Sequence, residues 1–308
     1  MSAGKYKDLS GFISSLDSMG ILALDGTDAV AFIHRQLSND IENLQEDKAC
    51  LAAYCSPQGR VLALFTVWKS AKRVFLAFPK DILPAIQKRL RMYVLRDDVT
   101  ISDVSNEFQV YGICGRENVD WLAQGHDIPC NLYAKNDYDI GTLIKWSDSS
   151  DKERWLFFTR DKTVLNDTTL IDEYTWQKTE IIAGIPRINL VVQNRFIPQM
   201  LNLEKLGGLS FTKGCYPGQE IVARSQYRGS VKSGLFYGQA TFDKTPPTDM
   251  LDGTALFNAS GNECGTIVLS SIEDDKTSFL AVVRYADVSS EGVHLSKADG
   301  PIVKLIQC

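Results

Sequence analysis

Residues 196–228 read FIPQMLNLEKLGGLSFTKGCYPGQEIVARSQYR, and the run KGCYPGQE at 213–220 is the part that demands an explanation. A cysteine stands beside Gly214, with Lys213 two residues before it and Gly218 three residues after. Gly214 lets the chain turn, and Pro217 suits the first position of a helix, where its missing N–H costs nothing. The spacing predicts that residues 209–211 finish an extended run and that a helix covers 218–227, stopped by Gly229. Cys215 would then lie just outside a helix N-terminus with Lys213 nearby, and both features favour the thiolate. The same place accepts a phosphate or carboxylate from a ligand. A plainer reading stands beside this one: Cys215 is a small filler in a turn, and Glu220 with Arg224 an i,i+4 surface pair. No histidine lies near in sequence, which weakens a papain-like nucleophile.

Around this stretch the chain has 308 residues, 44% hydrophobic and 23% charged, ordinary values for a globular protein. Its net charge of −5 argues against strong direct binding of nucleic acid or an anionic membrane through bulk charge. No apolar run approaches the roughly 20 residues that span a bilayer. The start, MSAGKYKDLSGF, carries no charged-then-apolar signal, so the expected location is cytoplasmic. Seven cysteines without a single C-x-x-C fit reduced thiols. Cys50 and Cys55 share one strand at odd spacing and point to opposite faces, so they cannot share a metal. His34, His126 and His294 stand alone, and no metal site is expected.

Outward along the sequence, ILAL at 21–24 reads as a strand ending at Asp25-Gly26. A helix follows, capped by Thr27, with Val30, Ile33, Leu37 and Ile41 inward. Strands near 49–55 and 61–68 are joined by Ser56-Pro57-Gln58-Gly59, suited to a type I turn. FLAF adds a strand, and residues 81–95 read as a basic helix with Leu83, Ile86, Leu90 and Tyr93 or Val94 buried. VTISDV, FQVYGIC and RWLFFT continue the alternation, with a polar loop at 147–152. Residues 183–208 lack periodicity and read as a shaped connection. From 235 onward, short β-rich runs between Gly, Pro and Asp turns suggest an antiparallel barrel or sandwich.

The stretch 196–228 resembles the signature of the YgfZ-type folate-binding proteins, within the superfamily of the glycine-cleavage aminomethyltransferase. Further matches are LDGTDAVAFIHRQLSND (24–40), SPQGRVLALF (56–65), YVLRDDV (93–99) and AGIP (183–186). The resemblance implies an α+β fold of two entwined α+β subdomains over residues 1–233, with a C-terminal antiparallel β-barrel over 234–308. It also implies a central folate-sized cavity, with tetrahydrofolate or a derivative as the cofactor. The family acts as an accessory factor for iron–sulfur enzymes, including ones that methylthiolate tRNA. Its expected partners are iron–sulfur client enzymes or assembly proteins. By the same resemblance Cys215 is the reactive residue. Lys213, Gly214, Tyr216, Gln219, Glu220, Arg224, Gln199, Asn202 and Trp176 are the implied folate-binding residues.

Two positions depart from the superfamily pattern. Ala63 and Leu64 fall where aminomethyltransferases carry paired aspartates, and neither can accept a hydrogen bond or stabilise positive charge. The carboxylate that commonly precedes the Ala-Gly of AGIP is here Ile182. Glu180 compensates if the segment is extended, because alternate residues share a face.

Overall fold

The computed structural model describes residues 11–123, 127–150, 152–166, 168–227, 231–241, 251–273, 276–288, 292–297 and 300–308. Its strands in chain order are β1 (Phe12–Ser15), β2 (Met19–Asp25), β3 (Ala49–Cys55), β4 (Val61–Ser70), β5 (Arg73–Pro79), β6 (Thr100–Asp103), β7 (Gln109–Cys114) and β8 (Lys135–Tyr138). They continue with β9 (Gly141–Ser149), β10 (Lys152–Thr159), β11 (Ser233–Thr241), β12 (Ala255–Asn258), β13 (Glu263–Glu273), β14 (Lys276–Arg284), β15 (Val293–Leu295) and β16 (Ile302–Gln307). The helices are α1 (Ala29–Gln36), α2 (Leu83–Arg91), α3 (Asp120–Ala123), α4 (Glu173–Ile182) and α5 (Gln219–Tyr227).

Two five-stranded sheets form the body, in the orders β1-β7-β10-β9-β8 and β3-β4-β5-β2-β6, and β11 to β16 close a barrel. β1 and β2 are separated by a short turn yet belong to different sheets, so the two halves are entwined. The fold is thus α+β with a closed antiparallel barrel. The sequence pattern left barrel and sandwich open; β15, three residues long, supplies the strand that links β12 to β16 and completes the ring.

Alternation along β3 and β4 divides two cores. Leu51, Ala53, Cys55, Leu64 and Trp68 face the layer between the sheets, while Cys50, Ala52, Tyr54, Ala63 and Phe65 pack beneath α1 and α2. Cys50 and Cys55 do point to opposite faces, as their spacing required. Trp68 on β4 and Phe158 on β10 meet at 4.4 Å between ring centroids, joining the two sheets. α4 fastens the barrel to the body, with Gln177 Nε2 donating to Ser270 O at 2.5 Å.

Several local expectations change. α1 is capped at Asp28, and Thr27 instead hydrogen-bonds Asp98. It ends at Gln36, so Leu37 and Ile41 are buried outside it. α2 stops at Arg91 rather than at 95; Tyr93 and Leu95 are exposed, and only Val94 packs inward. Residues 147–149 extend β9 instead of forming a loop. The segment 209–211 is irregular, not a strand. His126 and Gly229 lie outside the described residues.

Candidate functional site: the Cys215 loop and the central cavity

The loop that carries Cys215 is anchored at both ends by groups far away in sequence. On one side Lys213, buried, sends its ammonium to the carbonyls of His34, Leu37 (2.6 Å) and Asn39 (3.0 Å). These are carbonyls at and just past the C-terminus of α1, where a helix leaves acceptors without internal partners and its dipole favours a cation. The Tyr216 ring lies 5.4 Å from the same ammonium. Burial pulls the Lys213 pKa down to about 8, while Asp40 and Glu42 oppose the fall. Beside it, His34 is lowered by burial and by Lys213. Lys213 thus has a structural role that the sequence did not reveal. Its ammonium caps α1.

At the other end two turns interlock. Gly218 has φ +81°, and a Cβ there would stand 2.5 Å from Ser56 O and 2.7 Å from Gly59 Cα. Gly59 has φ +72°, and its Cβ would meet Ile221 at 2.9 Å. The turn Ser56-Pro57-Gln58-Gly59, closed by Gly59 N–H to Ser56 O at 2.8 Å, thus nests against the start of α5. Only glycine allows that approach and that conformation together. Gly214, by contrast, has no left-handed φ and open space around its Cβ position. The turn-making role expected of it belongs to Gly218.

α5 begins at Gln219, with Gly218 O accepting from Val222 N–H at 3.2 Å, so Gly218 is the capping residue. Pro217 precedes the helix rather than opening it. Cys215 is exposed and lies three residues before the cap, in the loop that leads into α5. Glu220 and Arg224 are both exposed, and no ion pair joins them among the described residues. Gln219 is half-buried, and Tyr216 is buried with its phenol pKa raised by burial.

Gln199 supports α5 from below: its Nε2 donates to Val222 O at 2.6 Å, and its Oε1 is buried without a partner. Asn202, at φ +56°, donates to Cys308 O at 3.3 Å. Trp176 lies fully buried against Gly112, with the Arg154 guanidinium 4.9 Å from its ring. Burial pulls Arg154 down to about 10. Lys213, Tyr216, Gly218 and Gln219 belong to the same pinned loop and helix start as Cys215, and Gln199 is tied to that helix through Val222 O; Asn202 and Trp176 are held by Cys308 and Arg154 instead.

The central cavity lies between β3–β4–β5 and β9–β10, beneath α4. Its volume is about 30 Å³, and its lining includes Leu51, Leu64, Trp146, Glu180 and Arg187. None of the ten residues implied by the family motif is on its wall. The polar chemistry suits a pterin edge only in part: Trp146 Nε1 is buried without a hydrogen bond, but Glu180 Oε2 is already taken up in an ion pair with Arg187 Nε at 2.5 Å. The space does not, since ligand pockets run to about 300–1,000 Å³ and this one has room for a water or two. As it stands the cavity does not accept a folate. The account given for Glu180 also changes, because residues 173–182 are helical rather than extended. Glu180 faces the cavity and Ile182 faces out, 42% exposed. Sequence reasoning missed Arg187 and Trp146. The spacing of Glu173 and Glu180, two helical turns apart and followed by a lone arginine after AGIP, was the available signal for the first.

No family model matches the chain. A protein of Aliivibrio fischeri named tRNA-modifying protein YgfZ is 28% identical over 294 residues, covering 92% of this chain and 88% of that one. An uncharacterized protein of Haemophilus influenzae is 30% identical over 288 residues, covering 92% of each. Among solved structures, the aminomethyltransferase T of the Bartonella henselae glycine cleavage system superposes with a TM-score of 0.76 at 13% identity, over 97% of this chain and 85% of that one. That likeness is one of fold.

Proposed function

This chain belongs to the YgfZ family, a distant relative of the glycine-cleavage aminomethyltransferase, and on that footing we propose that it is an accessory factor for assembling or maintaining iron–sulfur enzymes. Enzymes that methylthiolate tRNA are among its clients, a reading supported by relatives named tRNA-modifying proteins. The observation that carries the proposal is an exposed Cys215 on a loop pinned by Lys213 at one end and by the Gly59–Gly218 contact at the other. A pinned backbone presents the thiol in one position, so a partner meets it without ordering the loop first.

The chemistry follows from having one accessible sulfur. As a thiolate, Cys215 supplies a single ligand to a cluster whose remaining positions belong to the client, and releases it by simple ligand exchange. Among the described residues, no group of three or more His, Cys, Asp or Glu is placed to hold a metal. In this role the cluster is cargo, held at its other positions by the client. No step passes through folate, because the cavity in this conformation does not admit it.

A one-carbon transferase finds less support. Leu64 presents an apolar side chain on the wall of the central cavity and Ala63 is buried under the helices, where the transferase would need carboxylates. The role is tested by deleting the chain in its native host and measuring methylthiolated nucleosides in tRNA. The expected result is a fall that the wild-type gene reverses, and an unchanged level contradicts the proposal.

A further inference from the structure

Where α2 ends, the surface changes character. Met92, Tyr93 and Leu95 stand out at 65%, 40% and 84% exposure, while Val94 between them packs inward. The segment is a built projection and not a frayed end: the N–H groups of Met92, Tyr93 and Val94 donate to the carbonyls of Arg89, Leu90 and Arg91 at 3.2, 3.0 and 3.2 Å. Lys88, Arg91 and Arg96 are exposed around it, and none has a carboxylate partner among the described residues. The acids that follow in sequence are engaged elsewhere, Asp97 by Arg35 at 2.8 Å and Asp98 by Thr27 N–H and Oγ1 at 3.1 and 3.0 Å. An apolar knob with a cationic rim thus stands on a chain of net charge −5. Cations alone would suit a phosphate backbone, but Met92 and Leu95 have no partner there. An apolar centre with a charged rim is the anatomy of a protein contact.

The complementary surface is on the same chain. A cleft of about 520 Å³ lies between the β8–β9 hairpin and the residues that lead into β3, and its walls join where Asp47 O accepts from Lys135 N–H at 2.8 Å. Glu46, Asp47, Asp127, Asp137 and Asp139 line it. The lysine on its wall, Lys135, is buried and bound to Asp137 at 2.5 Å, so the other four carboxylates have no cation among the described residues. Leu122 and Ile140 add apolar wall. We propose that the projection after α2 docks in this cleft on a second copy of the chain, with Lys88, Arg91 and Arg96 meeting the four free carboxylates and the apolar tip turned toward Ile140. Matched charge steers such an encounter and fixes its register. Two different patches meet, so the contact is heterologous. A dimer still has one free knob and one free cleft, and association continues into a ring or a filament. The readings of Cys215 and of the central cavity do not enter this inference.

The test is sedimentation equilibrium of the full chain over a range of concentrations, at low salt and at about 1 M NaCl, where the Debye length falls to about 3 Å. Wild type is compared with a knob variant, Leu95→Ser with Arg96→Ala, and a cleft variant, Asp127→Asn with Asp139→Asn. These positions are all exposed, and thermal unfolding confirms that each variant is folded. At low salt the wild-type mass should climb past that of a dimer as concentration rises, and each variant alone should associate roughly tenfold more weakly or less still. Mixed in equal amounts, the two variants should form a dimer and nothing larger, because the intact knob of one meets the intact cleft of the other. High salt should weaken every association by roughly tenfold or more. A monomeric wild type overturns the contact, whether or not added tRNA raises its mass. So do a wild type that stops at a dimer, a variant that associates as wild type does, a mixture that stays monomeric, and association indifferent to salt.

Discussion

Replacing Lys213 by methionine removes the ammonium while keeping a side chain of similar length, and its cost can be worked from the geometry. Three hydrogen bonds are lost, to His34 O, Leu37 O and Asn39 O. At roughly 1 kcal/mol net for each, the loss is about 3 kcal/mol, and removing a cation from the end of α1 adds up to about 1 kcal/mol. With a urea slope of about 3 kcal/mol/M, the unfolding midpoint should fall by roughly 1 M. Hydrogen exchange should also quicken in two segments together, 34–40 and 211–218, because one side chain ties them. A cost below about 1 kcal/mol, or faster exchange in only one segment, would refute the clamp. The pH dependence carries a sign. The folded pKa of about 8 lies below the ordinary 10.5, so between those values the unfolded chain holds more protons than the folded one. Stability from this group then rises with pH across that window. The stability difference, wild type minus Lys213→Met, should therefore grow from pH 8 to 10.5. A flat or falling difference would mean that the three carbonyls hold the proton against the pull of burial.

Two further outcomes follow from the same loop. Gly218→Ala places a methyl 2.5 Å from Ser56 O at a left-handed φ, and should destabilise by about 2 kcal/mol or more, whereas Gly214→Ala meets nothing within 4 Å and should stay within about 0.5 kcal/mol, both read by urea unfolding. Iodoacetamide applied to the native protein should modify Cys215 and Cys130, the exposed thiols, well before Cys50 and Cys55, whose pKa values burial pushes up to about 12; peptide mass spectrometry reports the order.

Much of the fold was legible because it rests on local period and turn chemistry. The alternation of β3 and β4 and the SPQG turn between them can be read directly, and so can the small β-rich runs of the barrel. Helix ends were harder: Tyr93 and Leu95 continue an apolar spacing in sequence, but the chain leaves the helix at Arg91 and exposes both. At the site, KGCYPGQE marked the right loop, yet the duties of its residues depend on partners more than 150 positions away. Lys213 could not be assigned to α1, nor Gly218 to Gly59, without the tertiary contacts. The size of the central cavity was equally hidden, since it is set by how β4, β10, α4 and Arg187 meet. Glu180 shows the limit most plainly. An extended reading and a helical one both bring it inward, for different reasons, and only the helix explains why Ile182 turns out to solvent.

The most direct measurement is the content of methylthiolated tRNA in the deletion strain carrying Cys215→Ser, beside the same strain carrying Cys130→Ser as a second exposed thiol. The account predicts that Cys130→Ser restores the wild-type level and that Cys215→Ser, expressed and folded to the same extent, does not. Full restoration by Cys215→Ser would contradict it.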